Sequence, residues 1–148
     1  MPDILHMVGA RSSSPLAAYR ALTAREGLAD WWTSETHGDG DIGGVIRFRF
    51  GGDNGFDMKI MALDPASHVR WQVIGGPEEW LGTTIDWQLK QDGAFTIIRF
   101  KHAGWREPSD FMHHCSTKWA IYLMSLKSLV ETGKGAPWPD DIRLQDAH

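Results

Sequence analysis

The chain has 148 residues, 42% of them hydrophobic, with a formal net charge of -4 and one cysteine. A single domain of this size buries roughly two thirds of the surface its unfolded form exposes, so one core over residues 1–148 suffices. The scattered basic residues argue against a nucleic-acid surface, the lone Cys115 excludes an intrachain disulfide, and no window approaches the ~20 apolar residues of a membrane span; a soluble cytoplasmic protein is expected.

The first segment, "DILHMVGAR", alternates Ile4, His6 and Val8 against Leu5, Met7 and Gly9, which fits a strand without saying which face is buried. "SSSPLAAYRALT" follows with serine caps, Pro15 at an early helical position and a short stripe through Leu16, Tyr19 and Leu22. It predicts a short helix, and "AREGLADWW" a second one after Thr23. "TSETHGDGDIGG" is polar and glycine-rich and reads as a turn region between short strands. Within it, Gly38 to Gly43 matches G-x-G-x-x-G, but the strand-like "VIRFRF" follows where a dinucleotide site requires a helix N-terminus. No cofactor is expected.

From Val45 to His102 the period is two. Ile46, Phe48 and Phe50 share a face opposite Arg47 and Arg49. The alternation returns as Phe56, Met58, Ile60; as Val69, Trp71, Val73; as Ile85, Trp87, Leu89; and as Thr96, Ile98, Phe100, His102, with turn residues between the runs. Strands with one apolar and one polar face make an antiparallel sheet covered on one side. The cover is the last segment, a helix opening near residues 107–110 and closing at Gly133, with Trp119, Tyr122, Leu123, Leu126, Leu129 and Val130 on one flank. At roughly 24 residues it is about 36 Å long, enough to cross a curved sheet. Beyond it, Trp138 is free to fold back as an apolar plug or to meet a second subunit, which leaves a homodimer open.

The order strand, two short helices, antiparallel strands and long C-terminal helix resembles the helix-grip fold of the START and birch-pollen-allergen-like (SRPBCC) superfamily. "YRALTAREGLADWWT", "FKHAGW" and "KWAIYLMSLKSLVETGKG" are similar to the corresponding segments of its bacterial branch, the activator of heat-shock-protein-90 ATPase homologues. That resemblance implies an α+β fold in which a curved sheet wraps the long helix around a cavity, and it carries a chaperone-interaction reading through the family's name.

The candidate site follows from these faces. Trp32, Phe48, Met58, Trp71, Trp80, Trp87, Phe100, His102, Phe111, Cys115, Trp119 and Tyr122 are the candidate ligand-binding residues, and a small apolar or aromatic molecule is the expected partner. His102 is the candidate polar anchor and, in an alternative reading as a cyclase- or hydrolase-like enzyme, the candidate proton-transfer group. Trp80 in "GGPEEW" is a candidate lid or rim aromatic beside solvated Glu78 and Glu79. Cys115 is expected to point inward opposite Trp71, Trp87 or Phe100. "HHC" at His113 to Cys115 lacks metal-ligand spacing, because adjacent helical positions diverge by about 100°; no metal is expected.

Overall fold

A computed structural model describes residues 1–145. Seven strands, β1 (Ile4–Arg11), β2 (Glu35–Gly38), β3 (Val45–Arg49), β4 (Gly55–Asp64), β5 (His68–Gly75), β6 (Thr84–Asp92) and β7 (Phe95–Ala103), form one sheet in the order β1-β7-β6-β5-β4-β3-β2. Every pairing is antiparallel. Helices α1 (Leu16–Thr23) and α2 (Arg25–Trp31) follow β1, and α3 (Asp110–Thr132) closes the fold. This is the helix-grip α+β architecture.

The period-two pattern becomes the two faces of the sheet. Val69, Trp71, Val73, Ile85, Trp87, Ile98 and Phe100 are buried, while Arg70, Gln88, Lys90, Arg99 and Lys101 are exposed on the other side. In β1 the even positions turn inward: Ile4 and Ala10 are buried, whereas Leu5 and Met7 stay 68% and 61% exposed. The expected turn region "TSETHGDGDIGG" contains β2, a short edge strand paired to β3 from Glu35↔Arg49 to Gly38↔Ile46. Its pattern carries one buried side chain, Thr36, too little to announce a strand by alternation.

The ends of α3 are set by local chemistry. The Ser109 hydroxyl accepts from Met112 N at the N-cap, and Gly133 at φ 82° ends the helix in the left-handed region. The buried flank includes Trp119, Tyr122, Leu123 and Leu126, joined by the unforeseen Lys118 and Ser125. Ser125 earns its position by donating to Trp31 O at 2.9 Å and accepting from Ala136 N at 2.8 Å. The helix packs against β1, α1 and α2. Register shifts at Asp57/Met58 and Ile60/Ala62 bend β4, and they increase the local curvature of the sheet. Between this bent end of the sheet and the N-terminal half of α3 a wedge of space remains.

Candidate functional site

That wedge is a cleft of about 880 Å³. Trp32 lies in it between helix and sheet; Phe50 and Phe56 come from the β3–β4 hairpin, Trp80 from the β5–β6 connection, and Phe111, Cys115, Trp119 and Tyr122 from α3. Trp138, in the segment after α3, completes the aromatic wall. Its backbone explains how it gets there: Trp138 N donates to Trp32 O at 2.8 Å, and Ser34 N donates to Trp138 O at 3.2 Å, a short parallel bridge that extends the sheet side of the cleft.

The rings contact one another continuously. Phe56 stacks on Trp80 at 3.9 Å and 10° between planes; Trp32 meets Phe48 at 4.2 Å and Trp119 at 5.0 Å; Phe50 reaches Phe56, Tyr122 and Trp138 within 6.5 Å. Tight hairpin geometry brings Phe50 and Phe56 together. Gly55 has φ 155°, and a Cβ there would sit 1.8 Å from Phe48 O, so only glycine lets the two strands approach.

Of the twelve residues expected at the site, Trp32, Trp80, Phe111, Cys115, Trp119 and Tyr122 line the cleft. Phe48, Met58, Trp71, Trp87 and Phe100 instead form the packed core behind it, each no more than 2% exposed. His102 is also in that core, with no exposure. Trp119 Nε1 donates to its Nδ1 at 3.2 Å, which assigns the proton to Nε2; Nε2–H then donates to Thr83 Oγ1 at 2.8 Å, and the Thr83 hydroxyl donates to Trp80 O at 2.6 Å. Both nitrogens are engaged, and burial lowers the imidazole to about 3, so the ring is neutral. It is a structural histidine of the wall. The proton-transfer role considered for it has no solvent-connected atom to act through.

Trp80 is a wall and not a lid: it is 3% exposed, stacked on Phe56 and edge-to-face with the His102 ring. Its Nε1–H has no nitrogen or oxygen acceptor among the described residues and contacts the Cys115 side chain. Cys115 therefore faces Trp80; Trp71, Trp87 and Phe100, opposite which it was expected, do not line the cleft that it borders. Burial pushes its thiol up to about 12, with the Trp80 contact opposing and the charge of Glu79 adding to the rise. A thiol so protonated is a poor nucleophile. Glu78 is exposed, as expected, and Glu79 is half-buried because it accepts from the Ser109 hydroxyl at the N-cap of α3. The other members of "HHC" part company: His113 Nδ1–H donates to Ser109 O at 2.7 Å on the exposed side, whereas His114 lines the cleft.

The charged residues at the cleft are ones the sequence reading did not single out for it. Arg49 pairs with Asp57 at 2.8 Å on the hairpin. Lys118, 7% exposed, donates to the Asp141 carboxylate and to Ile142 O, the latter at 2.8 Å, and Tyr122 OH donates to the same carboxylate at 2.8 Å. Burial first, and the neighbouring Asp141 second, raise the Tyr122 phenol. Arg143 lines the cleft two residues further on. A lysine in the middle of an apolar stripe, with an aspartate shortly beyond the helix stop at Gly133, was the available signal for this group.

A family model described as activator of Hsp90 ATPase homolog 1-like protein matches residues 12–131. The chain is similar to the solution structure of the Aha1 dimer from Colwellia psychrerythraea, at 46% identity and TM-score 0.84, over 91% of this chain and 100% of that one. It shares its fold with CalU16 from Micromonospora echinospora (18% identity, TM-score 0.76, 99% of this chain and 75% of that one). The same holds for SSP2350 from Staphylococcus saprophyticus (16%, TM-score 0.73, 90% and 95%). No curated protein matches the chain.

Proposed function

The chain belongs to the activator of Hsp90 ATPase homolog 1-like family, and from that premise we propose that it binds a small hydrophobic or aromatic molecule in the cleft between α3 and the β3–β4 hairpin. The observation that carries this reading is the cleft itself: about 880 Å³, walled by Trp32, Phe50, Phe56, Trp80, Trp119, Tyr122 and Trp138. Small-molecule sites commonly occupy roughly 300–1,000 Å³ and combine apolar walls with a few placed polar groups. Here the placed polar group is the ammonium of Lys118. Native mass spectrometry and tryptophan quenching against a panel of lipids and aromatic metabolites test it. Saturable binding by a panel member is the expected result, and uniform failure across the panel overturns the reading.

A second copy of the chain is the other partner proposed, supported by the dimer described for the Colwellia protein. Sedimentation equilibrium across micromolar concentrations should give a mass near twice 16.6 kDa. A single 16.6 kDa species up to high concentration would remove it.

A further inference from the structure

Resting on the cleft reading above, we infer that the cleft selects anionic ligands: an aromatic or hydrophobic carboxylate whose charged end is received by Lys118, in competition with Asp141. Lys118 lines the cleft from the middle of its apolar wall, with its side chain 8% exposed and its Nζ 4.9 Å from the centre of the Tyr122 ring. An ammonium has three donors. Two go to the Asp141 carboxylate and to Ile142 O, which leaves one for a ligand oxygen.

The alternative charge is disfavoured by the same residues. A ring of aromatic faces is a common receptor for quaternary ammonium groups, but Tyr122 already has a cation against its face. Among the described residues the lining cations are Arg49, Lys118 and Arg143, and the lining carboxylates are Asp53 and Asp57. Asp57 is committed to Arg49 at 2.8 Å, and Asp53 is exposed at the hairpin tip. An incoming cation would meet the Lys118 charge at short range in a poorly solvated wall, where repulsion is little screened. A carboxylate would meet a charge-assisted donor. It would also share that donor with Asp141, since one ammonium cannot compensate two carboxylates fully. The internal aspartate thus acts as a resident competitor that a ligand carboxylate must weaken or displace.

Calorimetric titration with three isosteres at neutral pH reads this directly: 2-naphthoate, 2-naphthamide and 2-naphthylmethyl-trimethylammonium. In the wild type, naphthoate should bind about tenfold or more tightly than naphthamide, as expected for one hydrogen bond to a charged group, and the ammonium compound most weakly. Asp141→Asn should widen the naphthoate preference by removing the competitor. The double variant Lys118→Met/Asp141→Leu takes out both buried charges together, a replacement proteins commonly tolerate, and should abolish the preference, so that naphthoate and naphthamide bind it alike. Equal affinity of naphthoate and naphthamide in the wild type overturns the inference and leaves the cleft reading standing. A preference that survives in the double variant overturns it as well. Absence of binding by all three also overturns it, and the broad panel then decides the cleft reading separately.

Discussion

His102 shows how one residue can be functional in pattern and structural in fact. Its imidazole is neutral in the folded state, held near a pKa of 3 by burial, against an ordinary value of 6.5 in the unfolded chain. Between those values the unfolded chain takes up a proton that the native state refuses. The stability associated with neutral His102 is therefore complete above pH 6.5 and is lost as the pH falls toward 3, at a limiting rate of about 1.4 kcal/mol per pH unit. Substituting His102→Gln should cost about 1–3 kcal/mol at pH 7 through the broken Thr83 and Trp119 bonds. Its urea-unfolding free energy should decline less steeply than that of the wild type between pH 6.5 and 4, so the two curves converge; parallel curves would contradict the assignment. Cys115 supplies the complementary case. In a filled core Cys115→Trp would overpack at a typical cost of 1–3 kcal/mol. Because Cys115 borders an open cleft, the variant should melt within a few degrees of wild type, about 1 kcal/mol at most, and lose panel binding. A collapsed melting temperature would show that the indole has nowhere to go.

At the scale of elements, α3 owes its position to its two ends as much as to its stripe. Ser109 caps the helix and also donates to Glu79, so it ties the β5–β6 connection, and with it Trp80, to the helix N-terminus. Ser109→Ala should destabilise by about 1–2 kcal/mol. Glu79→Gln made in the same background should then cost less than it does alone, measured by a double-mutant cycle in urea. At the other end a Cβ on Gly133 would meet nothing within 4 Å, so Gly133→Ala should cost only its left-handed φ, about 1 kcal/mol. These ends were legible in the sequence because cap chemistry is local, and the sheet faces were legible because alternation is local too. The division of those faces into floor and cleft was not. Phe48 and Phe50 share a face, as do Met58 and Phe56, yet only Phe50 and Phe56 border the cleft. Which of a pair does so depends on how far the bent end of β4 diverges from α3, and no periodicity encodes that angle. Lys118 and Asp141 were hidden for a related reason: their pairing exists only once the chain after Gly133 has turned back along the helix.

For the molecule as a whole, the buried tryptophans form one connected body. Trp31, Trp32, Trp71, Trp87, Trp119, Trp80 and Trp105 are linked ring to ring with no centroid separation above 6.1 Å along the path. Indoles at that spacing exchange excitation faster than they emit. Light absorbed anywhere in the network is thus emitted from whichever indole lies lowest in energy, and a quencher beside Trp80 darkens rings deep behind it. Intrinsic fluorescence will report occupancy of the cleft with high amplitude and almost no positional information, and the sum of changes from single tryptophan substitutions will exceed the whole emission. Near-ultraviolet circular dichroism should show coupled indole bands that vanish when ring packing loosens, before the far-ultraviolet signal of the sheet is lost.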